Sequence, residues 1–350
     1  MSEIHSGHWL NNPQPGAACA VIAEVAQAHD GSLGMAHAFI DCAAEAGATA
    51  VKFQTHIALE ESTPAEMWRT PFSKQDASRF DYWKRMEFNS NEWAGLKQHA
   101  EEKNLVFLSS PFSIAAVRLL RELNVAAWKV ASGELTNLPM LVEIVKDKKP
   151  VMLSTGMSNW PEIDAATQLV KDAGVAFCVF QCTTTYPSPP TSIGLNVLGE
   201  LRARYGCAVG LSDHSGTIFP ALAAVASHRA EVVEVHLTMS RDMFGPDVIA
   251  SVTPAELKQI CDGVRFVEVM HRSSLDKSVV DAAAVPMRKL FFKSLVLLKD
   301  LPAGTVLTDD MIGLKKPGSG LPAADLSRVI GRRLSRDVKC DVPLQSGDIL

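Results

Sequence analysis

The 350-residue chain has no stretch approaching the roughly 18 consecutive apolar residues of a membrane helix. Its polar N-terminus carries no apolar signal core. Basic charge is in short supply: 34 Lys and Arg stand against 39 Asp and Glu, a formal charge of -5, which argues against a nucleic-acid-binding face. It says little against an anionic small substrate, because a few local lysines hold a phosphate inside an acidic protein. The seven cysteines (Cys19, Cys42, Cys178, Cys182, Cys207, Cys261 and Cys340) form no C-x-x-C pair, and several lie in apolar segments. They read as reduced, buried thiols of a cytoplasmic protein. No G-x-G-x-x-G follows the first strand candidate, which removes the usual dinucleotide-binding turn.

What is present is ordinary for a soluble globular chain: 47% apolar and 21% charged residues. Eight short apolar runs recur, at Ala18–Glu24, Ala50–Gln54, Val106–Ser109, Ala126–Ala131, Pro150–Ser154, Ala176–Gln181, Ala208–Leu211 and Val232–His236. Continuous Val/Ile/Phe/Ala runs suit strands covered on both faces. Amphipathic stretches separate them, among them Gly34–Ala46, Glu92–Lys103, Ile114–Leu123 and Trp160–Ala173. Eight strands alternating with helices over about 240 residues predict an α/β fold, a (β/α)8 TIM barrel. An open doubly wound sheet rarely needs eight such units. Nearly every run ends in a chemically useful residue, and barrel strands converge at their C-termini on one mouth, where barrel enzymes place their sites.

After about residue 275 the pattern changes. Asp281–Pro286 is Ala-rich and reads as a linker, followed by strand-like pieces at Ser294–Leu298, Thr305–Leu307, Ile312–Lys315 and Arg333–Val338. The expected organisation is a barrel over 1–280, a linker over 281–290 and a small, mostly β module over 291–350.

Asp213-His214 and His236 close the seventh and eighth runs. Adjacent strand ends would bring the two imidazoles together as ligands for Mn²⁺, Co²⁺, Fe²⁺ or Zn²⁺; the plainer reading is a pair of structural rim histidines. His29 and His56 sit just past the first and second runs, placed to line the mouth. Lys52 and Lys129 lie just before their strand ends, and a lysine inside a barrel must meet an anion or shift its pKa. With Ser110, Ser132, Ser154 and Ser212 they suggest a phosphate cradle. A Schiff-base lysine or a salt bridge to Glu24 or Glu134 are the alternatives. Glu24 ends the first run, where it could act as general acid/base or hold a lysine. Gly245-Pro246-Asp247 is a turn signal whose Asp247 either meets a sugar hydroxyl or caps the turn.

Taken in order, these residues resemble the sialic acid synthase family. The matches run from Ile22-Ala23-Glu24 and His29-Asp30-Gly31-Ser32 through Val51-Lys52-Phe53-Gln54, Ser110-Pro111-Phe112, Trp128-Lys129 to Ser132-Gly133-Glu134 and Ser154-Thr155-Gly156-Met157. They continue through Gln181-Cys182-Thr183, Tyr186-Pro187, Ser212-Asp213-His214, Glu234-Val235-His236 and Gly245-Pro246-Asp247. Lys315-Lys316-Pro317-Gly318-Ser319-Gly320 and Val329-Ile330-Gly331-Arg332 look like the family's antifreeze-like (SAF) domain.

The resemblance implies condensation of phosphoenolpyruvate with N-acetylmannosamine or a related N-acyl amino sugar, giving a sialic acid and phosphate. A legionaminic or pseudaminic acid synthase using a diacetamido-trideoxyhexose is the alternative within the family, and a non-catalytic binding protein using its SAF-like domain the alternative outside it. It implies Glu24 as the catalytic residue and Lys52, Ser110, Lys129, Ser132, Ser154, Thr184 and Ser212 as phosphoenolpyruvate contacts. Gln54, Glu134, Tyr186, Asp247 and Lys316 would contact the sugar. His214 and His236 would hold a divalent metal, Mn²⁺ first, with Mg²⁺ or Co²⁺ as alternatives. A domain-swapped homodimer is expected. Two positions depart from the pattern: Ala28 stands where Asn is frequent, and Lys316 where Arg is usual, which keeps the charge and loses the planar fork.

Overall fold

The structure is a computed structural model that describes residues 16–350, so the N-terminal segment read above for a signal core lies largely outside the described residues. The chain divides into a first unit ending at Ser273 and a second unit, Ser274–Leu350.

In the first unit, β1 (Ala20–Ala26), β2 (Ala50–Thr55), β3 (Val106–Pro111), β4 (Trp128–Val130), β5 (Val151–Ser154), β6 (Phe177–Cys182), β7 (Ala208–Asp213) and β8 (Val232–His236) form one sheet. Its order is β3-β2-β1-β8-β7-β6-β5-β4, every ladder in it is parallel, and its two end strands lie against each other. The sheet thus closes as the expected barrel. Helix α1 (Leu33–Ala46) follows β1, and α2 (Ala58–Glu61), α3 (Arg79–Met86) and α4 (Ser90–Glu102) follow β2. Then α5 (Ile114–Glu122), α6 (Leu138–Ile144), α7 (Trp160–Asp172), α8 (Leu195–Tyr205), α9 (Phe219–His228) and α10 (Pro254–Arg272) follow β3 to β8, one each.

Local sequence explains the helix ends. Asn89, Asn159 and Thr253 each cap a helix through a reciprocal box with Glu92, Glu162 and Glu256. The chain leaves α1 at Gly47, whose φ of 82° suits a residue without Cβ. The buried residues of α1 (Ala36, Phe39, Ile40, Ala43 and Ala46) recur every three or four positions, and this stripe packs in the layer between helices and sheet. Burying a side chain such as Phe39 or Ile40 contributes about 1.5–3 kcal/mol.

Side chains alternate along each strand. In β1, Val21, Ala23 and Val25 join the outer core, while Ala20 and Ile22 point into the barrel with Ala50, Leu108, Ala127, Met152, Cys178, Phe180, Ala208 and Val232. That inner apolar layer forms a floor. Two residues further along each strand the inward positions turn polar, at Glu24, Lys52 and Glu234.

The predicted runs match the strands to within two residues at each end, and Val232–His236 coincides with β8. The segment between β2 and β3 was not predicted to hold α2 and α3. In the second unit, α11 (Ala284–Phe291) occupies most of the expected linker over 281–290. Its Ala-Val-Pro-Met start tolerates Pro286 within the first turn, where a missing N–H costs nothing. β9 (Ser294–Leu297) pairs antiparallel with β10 (Ile312–Lys315). The strands expected at Thr305–Leu307 and Arg333–Val338 reduce to single bridges, Val306 with Arg333 and Leu301 with Val338. Turns crowd them: Gly304 sits at φ 78°, and Asp337 accepts the Ala303 N–H, so no ladder extends. Leu295, Leu297, Leu307, Leu334 and Leu344 form this unit's small core.

Candidate active site

The barrel mouth opens into a cavity of about 410 Å³, within the usual range for small-molecule sites. Strand register sets its chemistry. Glu24 on β1 lies beside Lys52 on β2 and His236 on β8, and Ser212 on β7 lies beside Glu234 on β8.

At the bottom, two buried lysines and two buried carboxylates interlock. Lys52 Nζ is 2.8 Å from Glu24 Oε2 and 3.6 Å from Glu234 Oε1. Lys129 Nζ is 3.1 Å from Glu234 Oε1. The hydroxyls complete the ring: Lys52 donates to Ser110 Oγ at 3.3 Å, Lys129 to Ser154 Oγ at 2.8 Å, and Ser212 Oγ to Glu234 Oε1 at 3.1 Å. Burial works against the Lys52 charge, but Glu234 and Glu24 outweigh it and raise the pKa above the ordinary lysine value. Burial likewise works against the Glu234 carboxylate, and Lys129 and Lys52 hold it ionised. A Schiff-base nucleophile needs a free amine, so Lys52 is poised as a cation for an anionic ligand. One oxygen of each carboxylate, Glu24 Oε2 and Glu234 Oε2, receives no aligned hydrogen bond.

Above this layer sit the histidines. Their ring centroids are 5.1 Å apart, and both residues are buried. Burial, with His236 second, pushes the His214 pKa down to about 3 and keeps that ring neutral. His214 Nδ1 lies 2.6 Å from the Thr183 carbonyl, so Nδ1–H donates there and Nε2 keeps a lone pair, 2.9 Å from the Tyr186 hydroxyl. A backbone acceptor fixing the far nitrogen is how metal-binding imidazoles are commonly oriented. Among the described residues no group of three or more His, Cys, Asp or Glu gathers as a metal cage. The donors a metal would meet here are the two imidazoles, His214 offering Nε2, with any other positions left to water or substrate.

Tyr186 stacks on His214 at 4.2 Å, and the Arg69 guanidinium lies 4.6 Å from the centre of the same Tyr186 ring. Arg69 Nη2 also reaches Asp247 Oδ1 at 3.2 Å. Glu134 lies at the rim; burial raises its pKa, and Asn137 Nδ2 donates to it at 2.9 Å. Ser132 accepts from Gly156 N at 3.1 Å.

Glu24, Lys52, Gln54, Ser110, Lys129, Ser132, Glu134, Ser154, Tyr186, Ser212, His214, His236 and Asp247 all line the cavity. Thr184 does not: it is exposed, its methyl facing Gly156. Lys316 belongs to the second unit, its ammonium 5.1 Å from the Phe291 ring centre. His56 lines the cavity as expected, whereas His29 is buried outside its lining, accepting from Gly31 N and stacked on Phe88. Glu234 was named only within the Glu234-Val235-His236 match, though its alternation in Val-Val-Glu-Val-His marks it as inward-facing. Glu61, Glu66, Trp68, Arg69, Arg79 and Trp83, from the segment after β2, were missed. No periodicity marks an irregular segment of that kind.

Residues 39–275 match the family model described as NeuB family, and residues 292–350 match the SAF domain. The chain belongs to the NeuB family. Within it, the N,N'-diacetyllegionaminic acid synthase of Campylobacter jejuni is 34% identical over 92% of this chain and 97% of its own length. The human N-acetylneuraminate-9-phosphate synthase is 32% identical over 97% of this chain and 94% of its own. Among solved structures, the sialic acid synthetase of Leptospira borgpetersenii, determined in complex with citrate, aligns with a TM-score of 0.65 and 28% identity. That alignment covers 76% of this chain and 89% of the other. The architecture is thus a TIM barrel with a SAF domain, shared with family members that are synthases. Among the described residues no helix is long and apolar enough to cross a membrane.

Proposed function

We propose that the protein condenses phosphoenolpyruvate with an N-acyl amino sugar, releasing a nonulosonic acid and phosphate. One observation carries this reading: two buried lysines and four serines line one cavity together with the His214 and His236 imidazoles. Lys52 and Lys129, with Ser110, Ser132, Ser154 and Ser212, would hold the phosphate and carboxylate of phosphoenolpyruvate by charge-assisted hydrogen bonds. Gln54, Glu134, Tyr186 and Asp247 would orient the open-chain sugar above it, so that its C1 lies over the nucleophilic C3 of phosphoenolpyruvate. Bond formation between C3 and C1 leaves positive character at C2 and an alkoxide on the sugar, which takes up the proton released by the incoming water. Glu24 Oε2, which lacks an aligned donor, would take a proton from the water that adds to C2. The tetrahedral adduct then expels phosphate.

His214 and His236 would hold a divalent ion, for which imidazoles favour Mn²⁺ or Co²⁺ over Mg²⁺. When bound, that ion supplies a Lewis acid for the aldehyde oxygen of the acceptor. The acceptor is N-acetylmannosamine or a diacetamido-trideoxyhexose. Exposed apolar side chains on α10 (Phe266, Val269 and Met270) accord with a homodimer. Seven free thiols and the need for phosphoenolpyruvate accord with a cytoplasmic setting.

The test is phosphate release from phosphoenolpyruvate across a panel of N-acyl amino sugars with Mn²⁺ present. Release dependent on one of these acceptors is expected. Background release with every acceptor would overturn the reading.

A further inference from the structure

A second set of polar side chains lies against Glu24 on the side away from Lys52. Glu61 ends α2, and its Oε1 is 2.6 Å from His56 Nδ1. The His56 ring is clamped between Trp83 and Phe112, with centroids 4.1 and 4.4 Å away and planes within 20° of parallel. His56 Nε2 lies 2.8 Å from Gln27 Nε2 and 3.2 Å from Gln54 Oε1. The Gln27 amide also donates to Gln54 Oε1. Gln54 Nε2 then donates to Glu24 Oε1 at 2.8 Å.

These contacts admit one consistent direction. The Glu61 carboxyl oxygen faces His56 Nδ1 as its acceptor, which leaves Nε2 to accept from the Gln27 amide. The Gln27 amide group donates to Gln54 Oε1 as well, which turns the Gln54 nitrogen toward Glu24. Were the Gln54 amide reversed, its carbonyl oxygen would face a carboxylate in a buried site, a repulsive and unsatisfied arrangement. The direction set at Glu61 and the Glu24 carboxylate therefore agree on which end of Gln54 meets Glu24. Glu24 Oε1 is engaged by Gln54, and Oε2 is left beside Lys52 and the cavity.

We propose that Glu61 and His56 are positioning residues that hold Glu24 in its reactive orientation through Gln54. The inference rests on the synthase reading, in which Glu24 handles the proton of the attacking water. It also redefines Gln54, whose amide serves Glu24 rather than the sugar alone. The aromatic clamp has a purpose in this arrangement: it fixes the plane of the ring, and with it the aim of both nitrogens.

The experiment is steady-state phosphate release by the full chain with Mn²⁺, phosphoenolpyruvate and the acceptor that the wild type accepts. Glu61→Ala and His56→Phe are expected to lower kcat by about tenfold or more while both KM values stay within about threefold, the pattern of an interaction expressed in the transition state. Glu61→Gln keeps a carbonyl oxygen for His56 Nδ1–H and is expected to recover most of that loss. The double variant should be no slower than His56→Phe alone, because both residues act along one chain of contacts. Should His56→Phe fail to fold by circular dichroism, the comparison of Glu61→Ala with Glu61→Gln decides alone. A Glu61→Ala enzyme with unchanged kcat, or one with a raised sugar KM alone, overturns the proposal. So does Glu61→Gln as slow as Glu61→Ala. These outcomes leave the synthase reading standing; a wild type that releases no phosphate with any acceptor overturns both.

Discussion

Replacing Glu234 by Gln keeps the shape of the side chain and removes one of the two buried negative charges at the bottom of the cavity. The carboxylate lies 3.1 Å from Lys129 and 3.6 Å from Lys52. At an effective dielectric constant of about 20, each attraction is about 5 kcal/mol. Burying the ions costs several kcal/mol apiece, so only part of that attraction survives as stability. Removing the charge, however, leaves Lys129 with no anionic partner among the contacts described, only neutral acceptors such as the Ser154 hydroxyl. Breaking a buried pair in this way costs about 3–5 kcal/mol. For a unit of this size that lowers the melting temperature by about 10 °C. Differential scanning fluorimetry at neutral pH reads the shift. The same reasoning gives a second, sharper outcome: inorganic phosphate, supplying the missing negative charge, should raise the melting temperature of Glu234→Gln more than that of the wild type. A variant melting within about 1 °C of wild type, with no extra phosphate effect, would refute the view of Glu234 as the shared counter-ion of both lysines.

Three other outcomes follow from the geometry. His214→Ala should remove the Mn²⁺ dependence and lower phosphate release by about 100-fold or more, with bound metal counted by mass spectrometry; full metal content at normal turnover sinks the ligand assignment. Lys129→Ala should raise the KM for phosphoenolpyruvate more than that for the sugar, measured by initial rates, because its ammonium sits in the lower layer beside Ser154 rather than at the rim. Gly31→Ala should cost about 2–3 kcal/mol in chemical denaturation, since Gly31 sits at φ 76° and a Cβ there would lie 2.4 Å from the Arg85 carbonyl oxygen.

Much of the barrel was legible because its strands are short continuous apolar runs that end in polar residues. Val232, Glu234 and His236 are inward-facing and Val233 and Val235 outward-facing by spacing alone. That same rule marked Glu24 and Lys52 as interior polar residues, and the structure places them side by side. Spacing along one strand carries no record of which residues meet across the barrel, so Glu234 as the partner of both lysines could not be read from it. The segment after β2 was opaque for another reason. Trp68, Phe72, Tyr82 and Trp83 cluster through aromatic contacts between turns and a two-turn helix, not through a repeat. Arg85 then ties that helix to Asp76 and Asp30, contacts between residues far apart in any periodic pattern. Thr184 is a different case: its place in the motif suggested a ligand contact, and in the structure it is exposed, outside the cavity lining, with its methyl against Gly156. At α11, Ala-rich composition near a proline looked like a tether, yet Pro286 falls early enough in the helix to be accommodated.

The floor of apolar side chains has a consequence for traffic. Ile22, Leu108, Met152 and Phe180 form a floor at the lower end of the barrel, and the mouth is the door through which the cavity opens. The lysines stand against that floor, and Tyr186 and Asp247 stand nearer the door. Under the proposed condensation, a sugar that arrived first would block the corridor to the lysines. The geometry would then set a queue: the phosphate-bearing substrate would enter first, and the phosphate left at the bottom would depart only after the larger product had cleared the way.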